Sequence, residues 1–300
     1  MAKAVYVGVG SKARKMKKAY IGIGGKARKV KKMYIGVGGK ARLCYSAEAD
    51  KFGTATPLSK YRIFLAGTTV GGYALFGGGG YDSDARKGEA IMDAYNASLT
   101  RTTATPLPSN VYACAGGTVG GYAVFSGGSS MNSDSTLVET IGAMEIVRAY
   151  DSSLTSSQAA PLSCPRAVHS AATIGNHLLF AGGYNSTTGK YLSTVESYDA
   201  SLTRSTAVEL SSAKNGLASA TVGEYAMFAG GYKGNSDAAY VATVDAYNTA
   251  LTKTTMPDLS VGRYGLASAV IGDYALFAGG ISKISSTVEQ YQDVVDVYSA

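Results

Sequence analysis

Side chains able to do chemistry are sparse in this sequence. Among 300 residues His169 and His177 are the only histidines, and Cys44, Cys114 and Cys164 the only cysteines. Three thiols without a C-x-x-C spacing suggest neither a disulfide framework nor a zinc site, so they read as small core or near-surface residues. Acyl transfer by a serine needs its nucleophile on a sharp strand-to-helix turn, and no G-x-S-x-G occurs. Gly22-Ile-Gly-Gly-Lys26 looks like a phosphate cradle, but no Ser or Thr follows the lysine and no βαβ pattern surrounds it. The residues therefore predict no catalytic group, no metal and no cofactor, and the expectation is a chain that is not an enzyme.

Charge divides the chain in two. Residues 1–42 carry 13 Lys and Arg and no Asp or Glu, whereas the remainder holds 15 basic and 21 acidic residues. With 38 Gly and 22 Tyr against 6 Pro and no Trp, the composition favours turns and short strands over long helices. Ile63–Gly80 is an uncharged run long enough for a short membrane span, but it contains seven glycines and related runs recur between polar loops. No export signal and no membrane span are expected.

The elements that position these residues are repeats. Tyr73-Ala-Leu-Phe76, Tyr122-Ala-Val-Phe125, His177-Leu-Leu-Phe180, Tyr225-Ala-Met-Phe228 and Tyr274-Ala-Leu-Phe277 are each followed, one residue on, by a glycine pair. A leucine (Leu58, Leu107, Leu162, Leu210, Leu259) stands 15 residues before the first position of each motif. His177 thus occupies a tyrosine column, and His169 aligns with Leu65, Cys114, Leu217 and Leu266, which makes both histidines structural members of the repeat. Each unit reads as four short strands: one of small residues, the Tyr-x-x-Phe strand, one ending at Tyr95, Tyr150, Tyr198, Tyr247 or Tyr298, and a Thr-rich one.

A unit of about 50 residues with this glycine pair resembles the kelch repeat of β-propellers. The resemblance covers residues 52–300. The family's tryptophan, seven residues after the tyrosine, is replaced here by Thr102, Ser157, Ser205 and Thr254. It implies an all-β chain: a five-bladed kelch-like propeller over 47–300, preceded over 1–46 by a small β-hairpin repeat segment. The fifth unit stops at Tyr298-Ser299-Ala300 without a Thr-rich strand, and Phe52-Gly-Thr-Ala-Thr-Pro-Leu58 has that strand's composition. Closure of the ring by this N-terminal strand is expected. Some kelch-like propellers are copper oxidases using His, Tyr and a modified Cys; two histidines in structural columns argue against that chemistry here.

In the basic segment Tyr6, Tyr20 and Tyr34 lie 14 apart, each opening a Gly-alternating run followed by Lys-Ala-Arg. The pattern predicts hairpins, with Arg28–Lys32 as a returning strand, too small to bury a core alone. Such tandem units resemble segments of phage and prophage tail-associated proteins of Gram-positive bacteria. That resemblance implies an assembly module carrying Tyr6, Tyr20 and Tyr34, joined to itself or to other tail proteins, and a location in the virion tail.

Function is expected at the propeller's loop face, where the insertions Asp82–Glu89, Ser129–Glu145, Asn185–Lys190 and Lys233–Asp237 gather. Arg62, Arg166, Lys214 and Arg263 follow the unit-opening leucine by four residues, with Tyr61, Tyr112 and Tyr264 beside this column. As a basic, aromatic ring they would hold an acidic glycan or a carboxylate-bearing peptide; as structural residues they would instead brace neighbouring blades through loop carbonyls. The reading is a receptor-recognition head that binds a host-surface glycan or protein. The alternative is an intracellular kelch-type interaction scaffold whose basic tail touches nucleic acid.

Overall fold

The computed structural model describes residues 55–80, 88–130, 143–234, 239–285 and 288–299, together with the backbone of six short strands between residues 6 and 46. The chain divides into two units, Met1–Thr54 and Ala55–Ala300, against an expected boundary after residue 46. Residues 47–54 lie outside the described ones. No helix among the described residues is long and apolar enough to cross a membrane.

The first unit contains three separate antiparallel pairs: Tyr6–Val9 with Lys12–Lys15, Tyr20–Ile23 with Lys26–Lys29, and Lys32–Val37 with Lys40–Ser46. Two residues separate the strands of each pair, Gly10-Ser11, Gly24-Gly25 and Gly38-Gly39, the spacing of a tight hairpin. This register makes Lys26–Lys29, rather than Arg28–Lys32, the returning strand. A two-residue connection brings the Lys-Ala-Arg motif directly opposite the Tyr-x-Gly run, and Lys32 already opens the next pair.

Among the described residues, the second unit contains five larger antiparallel sheets, with two-stranded ribbons at Tyr184–Asn185 with Lys190–Tyr191 and at Ile281–Ser285 with Val288–Tyr291 beside them. In each of the first four, strands pair in chain order, as in Ala218–Val222, Tyr225–Ala229, Val244–Tyr247 and Lys253–Met256 of the fourth sheet. The fifth pairs Ala267–Ile271, Tyr274–Ala278 and Val295–Ser299. The repeat columns become contacts. The phenylalanine of each second strand meets the tyrosine of the third edge-to-face, with ring centroids 5.7 to 5.9 Å apart in all five sheets.

No sheet has a core of its own. Each buried cluster combines the small-residue face of one sheet with the Phe–Tyr face of the next. Ala218, Ala220, Val222, Met227, Val244 and Ala246 of the fourth sheet, for instance, pack on Ala275 and Phe277 of the fifth, and the other three junctions repeat the arrangement. Backbone bonds register the sheets: Ala113 N–H to Phe64 O, Val168 to Ala113, Gly216 to Val168 and Gly265 to Gly216, at 2.9 to 3.1 Å. A second series runs from the first four glycine pairs, with Gly79 N–H to Val111 O, Gly128 to Arg166, Gly183 to Lys214 and Gly231 to Arg263.

The expected closure by residues 52–58 is corrected over the described part of that segment. Residues 55–58 join no sheet, and Val295 and Val297 of the last sheet are 49% and 56% exposed. The segment is fastened to the first sheet instead: Tyr95 Oη donates to Thr56 O at 2.8 Å and Arg101 to Pro57 O at 2.6 Å. Tyr198 and Arg204 make the same contacts with Ala160 and Pro161. The Thr-Pro-Leu composition therefore marks contact with the following sheet as much as membership of the preceding one.

The glycine pairs follow from steric limits. Gly182 has φ +68° and a Cβ there would lie 2.6 Å from Lys214 O, whereas Gly121 (φ +84°) faces open space. Gly182→Ala is expected to lower unfolding free energy by roughly 1–3 kcal/mol and Gly121→Ala by less, measured by urea denaturation of the full chain.

Candidate functional site

Four of the seven expected ligand residues are internal. Arg62 is 7% exposed and Arg166, Lys214 and Arg263 are fully buried. Each reaches a carboxylate two residues before the tyrosine of its own third strand. Arg62 meets Asp93 at 2.7 Å, Lys214 meets Asp245 at 3.4 Å, Arg263 meets Asp296 at 2.5 Å, and Arg166 pairs with Glu196. The serine after each unit-opening leucine completes the carboxylate's shell: Ser59, Ser163, Ser211 and Ser260 donate from backbone and hydroxyl. Arg101, Arg204 and Lys253 approach three of these acids from the outer strand at 3.6 to 3.8 Å.

This geometry corrects the expectation that Arg62, Arg166, Lys214 and Arg263 hold a ligand. Their cationic heads are spent on internal carboxylates and on strand-end carbonyls, such as Gly182 O and Thr194 O for Arg166 at 3.1 Å. Burial pulls the Lys214 ammonium below its usual range, against the opposing pull of Asp245. The signal missed in the sequence was internal covariation. The second unit has Val111 in the basic column and Arg148 in the acidic one; where the cation is lost, so is the acid.

Of the expected aromatic residues, Tyr61 is 76% exposed beside the first sheet and Tyr112 is half-buried. Tyr264 belongs to a cluster that the sequence did not suggest. Tyr184 and Tyr191 lie 5.1 Å apart between ring centroids, Tyr191 and Tyr232 5.6 Å, Tyr232 and Tyr240 5.5 Å, and Tyr232 and Tyr264 6.0 Å. Five half-buried rings thus run across the loop ends of the third, fourth and fifth sheets. Their spacing follows from the fold, because Tyr184 and Tyr232 directly follow glycine pairs and Tyr264 follows the buried Arg263. Gly216 makes room for the last: a Cβ there would stand 2.0 Å from the Tyr264 ring.

The cluster is neutral at its centre and charged at its rim. Burial raises the Tyr191 and Tyr264 phenols, and burial together with a hydrogen bond to Glu289 pushes Tyr240 up to about 12. Lys190 and Lys233 are exposed next to Tyr191 and Tyr232. Among the expected loops Asn185–Lys190 is described in full: the Asn185 side chain accepts from Thr187 and Thr188 N–H at 3.0 and 3.1 Å. Residues 81–87, 131–142 and 235–238, within the other three insertions, lie outside the described residues, as do the side chains of Tyr6, Tyr20, Tyr34 and Cys44.

His169 is buried with Nε2 2.8 Å from Ser126 Oγ, and His177 Nδ1 is 3.0 Å from Ser197 Oγ. Burial raises the Cys114 thiol to about 11, the opposite of what a reactive cysteine needs. Among the described residues, no three His, Cys, Asp or Glu side chains gather in a metal-binding group.

Residues 165–201, which hold Arg166, Glu196 and Tyr198, match the Kelch motif. The chain carries a kelch repeat. Solved structures agree on its fold, 267 chains matching it. One of them, the structure of YjhT, is 15% identical with a TM-score of 0.61, covering 94% of this chain and 95% of that one. Among curated proteins none matches. The kelch repeat on a propeller fold indicates an interaction or binding role. The likeness to YjhT also overturns the expectation that this chain is not an enzyme. That expectation rested on missing sequence signatures, and a propeller builds its sites from loops whose chemistry no signature reports.

Two predictions test the interior. Arg166→Ala leaves Glu196 buried beside an empty position and should cost about 3–5 kcal/mol in urea unfolding. Arg166→Ala combined with Glu196→Gln should cost less, since no buried charge is then left unpaired; Arg204, which loses its carboxylate, is partly exposed. For His169, burial first and Arg166 second lower the folded-state pKa well below 6.5. The unfolded chain then binds the extra proton, so the stability tied to neutral His169 is complete above the unfolded value and is lost as pH falls below it. His169→Leu should flatten that decline in urea midpoints measured through the histidine range.

Proposed function

We propose that this chain is the receptor-recognition head of a phage or prophage tail-like particle, binding a host-surface glycan through the tyrosine cluster. The observation that carries the binding reading is the contiguous run of Tyr184, Tyr191, Tyr232, Tyr240 and Tyr264 across three sheets. Half-buried tyrosine rings suit a glycan, with apolar faces for sugar C–H groups and phenol groups for sugar hydroxyls. Exposed Lys190 and Lys233 beside them favour a glycan bearing carboxylates or sulfates. Support for the tail-like setting is the tandem basic hairpin segment: residues 1–46, with Tyr6, Tyr20 and Tyr34 at equivalent places, would join the head to itself or to other tail proteins.

A glycan array with the full chain is the direct test. Binding to acidic glycans is expected, with Tyr191→Ala and Tyr232→Ala each weakening it about tenfold or more, a change of about 1.4 kcal/mol, while leaving the urea midpoint nearly unchanged. Binding that survives both substitutions would remove the cluster from the site, and no glycan bound at all would overturn the reading.

A further inference from the structure

The second sheet reverses the charge pattern of the other four. Where they carry a buried cation, an acid and a serine after the unit-opening leucine, it has Val111, Arg148 and Pro108. Where the first, third and fourth sheets bring an outer cation, Arg101, Arg204 or Lys253, it has Ser156. A unit that had merely dropped its ion pair would be apolar in both columns. Here the acid has become a cation, and the proline has neither the N–H nor the hydroxyl from which each internal carboxylate accepts.

Arg148 keeps the acid's register position. It lies opposite Phe125 and Gln158, as Glu196 lies opposite Phe180 and Thr206. It does not fill the place of the missing cation. In the first and fifth sheets that cation reaches Ile91 O and Val294 O; between Val111 and Ile146, their counterparts here, a cavity of about 10 Å³ remains, and Arg148 is not part of its wall. The Arg148 side chain is half-buried, and among the described residues it makes no hydrogen bond or ion pair.

A second donor is orphaned two residues along the same face. Tyr95, Tyr198, Tyr247 and Tyr298 each donate to a backbone carbonyl at 2.7 to 2.9 Å, but the buried Tyr150 hydroxyl has no partner. Burial raises this phenol, against the pull of nearby Arg148, so it stays protonated and remains a donor. Ser156 stands directly opposite Tyr150. In four sheets donors surround an internal acid; in the second, donors stand together and the acid is missing.

We infer that Arg148 of the second sheet receives a carboxylate from outside the chain, an Asp or Glu side chain of a partner protein, with Tyr150 and Ser156 beside it. The chemistry is that of the internal pairs with one member supplied by the partner: a guanidinium binds both oxygens of a planar carboxylate through parallel N–H donors. A kelch repeat's interaction role gives such a contact its setting. The tyrosine cluster belongs to the third, fourth and fifth sheets, so this site stands even if the glycan reading falls.

The test is titration of the full chain with glutarate, a soluble stand-in for a glutamate side chain, followed through the arginine Nε–H signals by NMR. The Arg148 signal, identified by its absence from Arg148→Gln, should move and saturate, whereas sodium chloride at equal ionic strength should move it far less. Calorimetry should show glutarate bound about tenfold more weakly or worse by Arg148→Gln. That variant should keep the wild-type circular dichroism and urea midpoint, because the side chain it replaces holds no bond. Arginine signals that all move alike, or binding undiminished in Arg148→Gln, would overturn the inference. Glucuronate bound more tightly than glutarate would overturn it too, by assigning the carboxylate to a glycan.

Discussion

A four-stranded sheet whose two faces are both apolar has no stable existence by itself, and that constraint governs this molecule. One face is made of Ala, Val and Gly, the other of a Phe–Tyr pair, and each is buried only by a neighbour of the opposite kind. Complete burial of the phenylalanine side chain is worth about 1.5–3 kcal/mol at each junction. It is available only where sheets succeed one another. Stability in such an array is set by neighbouring interfaces more than by any single unit.

Within that frame the buried ion pairs act as fasteners rather than as a source of net stability. A cation–carboxylate pair taken from water gains little overall against a well-packed apolar pair, but losing one member is costly. The second sheet, with Val111 in the cation's column and Arg148 in the acid's, fits that asymmetry: the two columns depart together. In the other four sheets the basic side chain bonds carbonyls of its own sheet, and in three of these its backbone carbonyl accepts from the preceding sheet's glycine pair. One residue thereby sets both the strand ends and the position of the next loop. The tyrosines of the loop face inherit their placement from this scaffold: Tyr264 follows Arg263, and Tyr184 and Tyr232 follow the glycines that bond to Lys214 and Arg263.

Recognition surfaces on repeat scaffolds arise where equivalent positions diverge. The residue after the glycine pair is Gly80, Ser129, Tyr184, Tyr232 or Ile281 in the five units. The inward columns keep Phe and Tyr throughout. Aromatic side chains at that outward position occur only in the third and fourth units, and the cluster is confined to the same side of the molecule. Burial constrains the inner columns and leaves the outer ones free to vary.

Periodicity in the amino-acid sequence was enough to determine the all-β class, the four-strand unit and its aromatic columns, because residues that repeat every 50 or so positions must answer to one recurring environment. Hairpins in the basic segment were legible too, from two-residue Gly-rich spacings. Tertiary structure alone decided which charged residues lie at the surface and which face one another. Arg166 and Glu196 are 30 positions apart, and nothing local distinguishes a buried guanidinium from an exposed one until its carboxylate is placed. It also decided that Tyr191, Tyr232 and Tyr264 meet, since contacts between units depend on how sheets pack, a property that no single repeat contains.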